Sequence, residues 1–158
     1  MEHTKAILVA TDFSDCSRAA LQAAAEWAER LGACLDLIHV WMIPSFPLPP
    51  AFTGDPRANQ LLVEQPRQQA ETGLQRFVEQ ASNAGIFVRK ALLDFGDPAE
   101  VISQIAERDG YEMIVIGTHG RSGLSRLMLG SVAEKVARLA TRPVLSVHGL
   151  PPAAIKAA

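Results

Sequence analysis

The stretch Met113-Ile114-Val115-Ile116-Gly117-Thr118-His119-Gly120-Arg121-Ser122-Gly123-Leu124-Ser125-Arg126-Leu127-Met128-Leu129-Gly130-Ser131-Val132-Ala133-Glu134-Lys135-Val136-Ala137-Arg138 runs from four apolar residues, through a glycine-rich loop, into a segment with helical spacing. A short apolar strand that turns directly into a helix is the repeating unit of parallel α/β sheets. Glycines in the connection let the backbone turn tightly and present bare N–H groups. The N-terminus of the following helix adds roughly half a unit of positive charge, a field that suits a phosphate. The stretch therefore reads as a phosphate cradle set into an α/β domain.

Working outward, the same alternation covers most of the chain. Ile7-Leu8-Val9-Ala10 is a buried strand, and Ser14 is the N-cap of a helix from Asp15 to about Leu31. Within that helix Ala20, Ala23, Ala24, Trp27 and Leu31 recur at three- and four-residue steps, which predicts a core-facing stripe, and Gly32 stops it. Leu35 to Val40 forms a second strand. A second helix is expected from about Asn59 to Ala84, ended by Gly85, with Pro66 either kinking it or starting it. Val88 to Leu93 is the third strand. Asp97-Pro98-Ala99-Glu100 then opens a helix to about Asp109: Asp97 caps, Pro98 sits first and Glu100 reaches back. Met113 to Ile116 is the fourth strand, Ser131 to about Ala140 the last helix, and Pro143 to His148 the fifth strand.

Five strands alternating with four helices predict a doubly wound, Rossmann-like parallel sheet in the order 3-2-1-4-5. Strands one and four then lie side by side where the winding reverses, and ligands bind outside the carboxyl ends of strands at such a reversal. The loops meeting there are Thr11-Asp12-Phe13 and Gly117 to Gly130. Two separate lines, the glycine loop and the strand order, converge on one crevice.

Bulk properties narrow the classes. The 158 residues fit one domain over 1–150, with 151–158 as a short flexible tail. A chain that is 48% hydrophobic and 20% charged is globular rather than disordered. A net charge of −2 gives no reason to expect nucleic acid or a membrane surface as partner, and no apolar run approaches the ~18 residues of a membrane helix. No long apolar segment follows Met1 to Lys5, and Cys16 and Cys34 match neither CxxC nor zinc spacing, so reduced thiols and a cytoplasmic location are expected. From Gly117 to Arg142 five basic residues face one acid, Glu134. Lys135 and Arg138 fit a solvated helix face as readily as a ligand, whereas Arg121, inside the glycine loop, favours an anion.

The span 41–56 holds five of the ten prolines and is too irregular for a helix or a central strand. It reads as a variable crossover insertion, or as a cover for the ligand or a partner. Rival chemistries lack their residues. No lysine completes a Walker A loop, no GxGxxG is present, and Leu124 stands where a nucleophile elbow needs its second glycine. Histidines 3, 39, 119 and 148 have no metal-ligand spacing, and no visible partner makes His119 a catalytic base.

Two residues separate Gly117 from Gly120, nine separate Gly120 from Gly130, and Ser131 follows at once. With Ile7-Leu8-Val9-Ala10-Thr11-Asp12-Phe13-Ser14 ahead and Arg142-Pro143-Val144-Leu145-Ser146-Val147 behind, this spacing resembles the nucleotide-binding signature of the universal stress protein family, and the resemblance spans nearly the whole chain. It implies an adenine nucleotide, ATP or a close relative, as ligand. Thr118, His119, Gly120 and Arg121 would approach phosphate or ribose chiefly through backbone, with Gly130, Ser131 and Val132 at the phosphates. Ala10 and Thr11 would touch adenine, and the Val40 main chain would read its edge, although periodicity alone makes Val40 simple core. The resemblance places Asp12 near ribose or adenine. By its own chemistry that carboxylate bonds ribose hydroxyls, helps hold a nucleotide-bound Mg²⁺, or closes an Asx-type turn or helix cap. Ser131 similarly serves a phosphate, a helix cap, or both.

The expected function is an ATP-binding stress-response sensor or interaction module, pairing as a homodimer through the final strand, Val144 to Val147, and addressing an unnamed protein partner. The alternative is a slow ATP-cleaving enzyme of the adenine-nucleotide α-hydrolase-like group. The sequence presents a cradle without a water activator or arginine finger, so any hydrolysis is expected to be slow.

Overall fold

Five parallel strands form one sheet in the order β3-β2-β1-β4-β5, as the alternation predicts. The computed structural model describes residues 5–43, 56–118 and 130–149. In chain order the elements are β1 Ala6–Ala10, α1 Asp15–Leu31, β2 Cys34–Trp41, α2 Pro56–Asn83, β3 Lys90–Phe95, α3 Pro98–Arg108, β4 Met113–Gly117, α4 Ser131–Leu139 and β5 Val144–Val147. The proline-rich segment 44–55, most of the glycine loop (119–129) and the tail 151–158 lie outside the described residues.

The central strand β1 is buried at every position, which its unbroken apolar run requires of a strand covered on both faces. It pairs with β2 (Ala10 opposite Ile38) and with β4 (Ala10 opposite Ile116). Alternate residues split into two cores. Leu8, Ile38, Val40, Ile114 and Ile116 meet Ile102, Ile105, Ala106, Ala133 and Val136 of α3 and α4. Ile7, Val9, Leu37 and Val115 meet Ala20, Leu21, Ala24, Leu74, Phe77 and Ala81 of α1 and α2.

Local signals fix the helix ends. The Ser14 side chain accepts from the Ser17 N–H, and Gly32 ends α1 in the left-handed conformation at φ 61°. The buried face of α1 is Cys16, Ser17, Ala20, Leu21, Ala24 and Ala28. This corrects the expected stripe. Trp27 is 40% and Leu31 39% exposed, and the Arg30 guanidinium lies 5.7 Å over the Trp27 ring. Small residues hold the face because α1 packs tightly on the sheet, and a bulky indole is accommodated only at its margin. Helix α2 runs through Pro66 without ending, so Pro66 neither starts it nor stops it. The turn before Pro66 is largely exposed, so water can take the carbonyl that the ring leaves unbonded. At α3 the Asp97 side chain accepts from the N–H groups of Ala99 and Glu100. Glu100 does not reach back as expected: its carboxylate takes the Lys135 ammonium at 3.2 Å, and Lys135 also bonds Asp97 at 3.0 Å. Lys135 thereby ties α4 to α3, while Arg138 pairs with Glu134 along α4.

At the opposite end of the sheet from the carboxyl ends of the strands sits a polar cluster inside the core. Asp36 is fully buried and takes a two-pronged ion pair from Arg89 (2.9 and 2.6 Å) and a 2.7 Å bond from the Tyr111 hydroxyl. Burial pushes the Asp36 carboxyl up, but bonds from Arg89 and Tyr111 outweigh it and leave it below the ordinary carboxylate range. The partners move the other way. The Asp36 carboxylate raises the Arg89 guanidinium, and burial together with Asp36 raises the Tyr111 phenol.

Candidate ligand cavity at the winding reversal

A cavity of about 360 Å³ opens at the carboxyl ends of β1 and β4, a volume within the usual range of small-molecule sites. Its wall brings together Ala10, Thr11, Asp12, Val40, Gly117, Thr118, Gly130, Ser131 and Val132 from four separate stretches of chain. Those nine are the anticipated site residues that the structure describes. His119, Gly120 and Arg121 lie outside the described residues.

The chain between β1 and α1 is held by its own side chains. The Asp12 Oδ1 accepts from the Ser14 N–H at 3.0 Å and from the Ser17 hydroxyl at 2.6 Å, while the Asp12 N–H donates to Ser17 Oγ. The carboxylate thus closes an Asx-type turn and lines the cavity as well. Its desolvation raises the carboxyl, and the bonds from Ser14 and Ser17 outweigh that and bring it below its usual value. Thr11, buried, donates its N–H to the Ile38 carbonyl and accepts the Phe13 N–H on its hydroxyl. Phe13 between them adopts φ 68°, a left-handed conformation that a bulky residue enters only under constraint. Its ring packs on His39 with centroids 4.2 Å apart, and His39 Nδ1 lies 2.8 Å from the Thr11 carbonyl.

The other wall is the start of α4. The Gly130 N–H bonds the Thr118 carbonyl, and the Thr118 N–H bonds Val147 of β5, so strand end and helix start are clamped together. Ser131 is the first helical residue, not the cap; the cap is Gly130, which brings no side chain to the first turn. Helices α1 and α3 are capped by Ser14 and Asp97, but the first N–H groups of α4 face the cavity without such a partner from their own cap. That is a place for an anion's oxygens.

Gly117 answers to packing. A Cβ placed there would stand 2.9 Å from Cys16 Sγ and 3.0 Å from the Cys16 carbonyl carbon and oxygen. The cysteine itself is buried and donates weakly to the Val147 carbonyl at 3.3 Å.

Sequence reasoning missed part of the wall. Ser17, Ile38, His39, Pro98, Ile102, Ile116 and Ala133 also line the cavity. The rule that ligands sit beyond strand carboxyl ends points toward Pro98, which opens the helix after β3. Which turn of α3 faces inward depends on how the helix lies against the sheet, and that is absent from local spacing. Among the described residues no group of three or more His, Cys, Asp or Glu could hold a metal, and no helix is long and apolar enough to cross a membrane.

Comparison with known proteins agrees with this architecture. The profile of the universal stress protein family matches residues 3–148. The chain is 34% identical over 143 residues to universal stress protein MJ0531 of Methanocaldococcus jannaschii, covering 90% of this chain and 81% of that protein. It is 34% identical over 146 residues to YxiE of Bacillus subtilis, covering 90% and 97%. Among solved structures, MJ0577 superposes with a TM-score of 0.70 at 26% identity over 93% of this chain and 97% of that one. A universal stress protein in complex with cAMP (TM-score 0.65, 24% identity, 93% and 98% covered) and one from Archaeoglobus fulgidus in complex with dAMP (TM-score 0.60, 23% identity, 93% and 99% covered) share the fold.

Proposed function

The chain belongs to the universal stress protein family, and on that premise we propose that its cavity binds ATP or a closely related adenine nucleotide, making the protein a nucleotide-dependent stress-response sensor or interaction module. The observation that carries this reading is the convergence of Ala10–Asp12, Val40, Gly117–Thr118 and Gly130–Val132 on one 360 Å³ cavity at the winding reversal. The first turn of α4 offers N–H groups for phosphate oxygens, while the apolar wall of Ile38, Val40, Ile102 and Ile116 suits a flat base. Solved relatives of the same fold hold cAMP and dAMP, which favours an adenine ring in this place.

The residues present fit a nucleotide better than they fit a metal cage. Mg²⁺ would enter with the phosphates, and Asp12, the carboxylate that lines the cavity, would help hold it, directly or through water. The resting role of Asp12 is to hold the turn that shapes the wall. Among the described basic residues of this region, Lys135 and Arg138 are engaged with acids on α3 and α4, so neither serves as a ready arginine-finger-like charge, which supports slow turnover of ATP. We further propose that two copies pair through β5. It is an edge strand whose four residues are each half-buried in the single chain, and Pro143 before it suits an edge.

Calorimetric titration with ATP, with and without Mg²⁺, beside a Gly120→Ala/Gly130→Ala double variant tests the assignment. Binding by the natural chain and loss in the variant is the expected result. Absence of binding at millimolar ATP overturns it. Stoichiometric release of AMP and pyrophosphate would transfer the protein to the ATP-cleaving group. Light scattering that finds only monomer would overturn the β5 dimer.

A further inference from the structure

On the α1–α2 side of the sheet lies a second and larger concavity, about 640 Å³, unconnected with the residues assigned to the nucleotide. Its long wall is one stripe of α2: Gln65, Gln68, Gln69, Thr72, Arg76 and Gln80. These positions recur at three- and four-residue steps, so they share one helix face. From Gln65 to Gln80 the helix rises about 22 Å, the length of an extended chain of about six or seven residues. A compact ion would occupy only a fraction of such a trough.

The chemistry of the wall is uneven in a telling way. Two guanidiniums, Arg18 and Arg76, line it, and no carboxylate does among the described residues. Arg18 is steadied by Asp15 at 2.7 Å and by Gln80 at 3.3 Å. Arg76 is exposed and forms no salt bridge among the described residues. Glutamine carboxamides donate and accept at once, which matches the N–H and C=O groups of a peptide backbone rather than a simple anion. Beside Gly73 and Arg76, the rings of Phe13 and Phe77, 5.9 Å apart, give an apolar floor for one or two side chains.

We propose that this trough binds an extended, net-acidic peptide segment of a protein partner, with Arg76 pairing a carboxylate, the Asp15-paired Arg18 lending its side-chain N–H groups, and the glutamines meeting the backbone. The assignment does not depend on the nucleotide reading, because the two cavities share no lining residue.

The test is fluorescence anisotropy of the full chain with a fluorescein-labelled octapeptide of six glutamates around two central leucines. Arg76→Glu reverses the charge at an exposed position that anchors nothing in the fold. Arg138→Glu, on α4, makes the same charge change away from the trough. Binding that weakens at least tenfold in Arg76→Glu and holds within twofold in Arg138→Glu is expected, with no binding of the matching lysine–leucine peptide. Failure of the acidic peptide to bind overturns the proposal. Equal loss in both variants overturns it in favour of a net-charge effect, and full displacement by millimolar inorganic phosphate overturns it in favour of a simple anion site.

Discussion

Asp12 and Ser17 hold each other through two hydrogen bonds of opposite direction: the Ser17 hydroxyl donates to Asp12 Oδ1 at 2.6 Å and accepts from the Asp12 N–H at 3.0 Å. The pair joins the end of β1 to the first turn of α1, and so sets one wall of the ligand cavity. Ser17→Ala removes both bonds at a buried position and is expected to cost about 1.5 kcal/mol at pH 7. The Asp12 carboxyl is depressed in the folded protein, so its contribution is present above the unfolded value near 3.8 and is lost as pH falls through the lower folded value. Urea unfolding of both proteins should show a gap at pH 7 that shrinks on acidification. An equal gap at both ends would mean the carboxylate is not what Ser17 serves.

Gly73 stands in the middle of α2, where alanine ordinarily stabilises by roughly 0.5–1 kcal/mol. Here a Cβ would meet the Phe13 ring at 2.6 Å, and that ring is already boxed in by His39 and Phe77. Gly73→Ala is therefore expected to destabilise by about 1–3 kcal/mol. Phe13→Ala should relieve most of the added strain, leaving the two changes strongly non-additive in a double-mutant cycle. A stabilising Gly73→Ala would refute the contact.

Removing Arg89 leaves the Asp36 carboxylate buried with Tyr111 alone. Arg89→Leu is expected to lose about 3 kcal/mol or more at neutral pH. In the natural chain the depressed Asp36 stabilises above its unfolded value and stops doing so as pH falls through the folded value. In the variant burial dominates and the carboxyl rises, so acidification from about pH 7 to about pH 5 should narrow the deficit as Asp36 takes a proton. Melting temperatures across that interval read the trend directly; a deficit that widens would exclude it.

Val132 sits at the cavity rim, 37% exposed, so a larger side chain there can project into the opening without disturbing the core. Val132→Trp should weaken ATP at least ~10-fold, or about 1.4 kcal/mol, with a melting temperature close to that of the natural chain. Unchanged affinity by calorimetry would put the nucleotide elsewhere.

The strand order, the bounds of α1 and the meeting of the β1 and β4 carboxyl ends with the start of α4 were legible because each rests on local rules: apolar runs, caps and crossover handedness. Ser14, Gly32 and Asp97 do what their types dictate wherever they occur. What escaped is long-range. Trp27 has the right spacing for a core face, but the face that α1 turns to the sheet is centred on Ala20, Leu21, Ala24 and Ala28, which leaves the indole at its margin. Ile102 and His39 enter the cavity by virtue of how helices and strands lie against each other, and Asp36 finds Arg89 across 53 residues. No window of sequence contains those distances.

The glycine at 117 carries a lesson for reading this chain's history. Its lack of a side chain answers to the Cys16 backbone and sulfur, a debt to architecture that stands whether or not anything is ever bound. A descendant that had abandoned its ligand would still keep it. Gly130 is under no such obligation from its own backbone, whose φ of −57° and ψ of 143° are open to any residue. Among cousins of this protein, drift at 130 beside constancy at 117 would therefore be the mark of a site falling out of use.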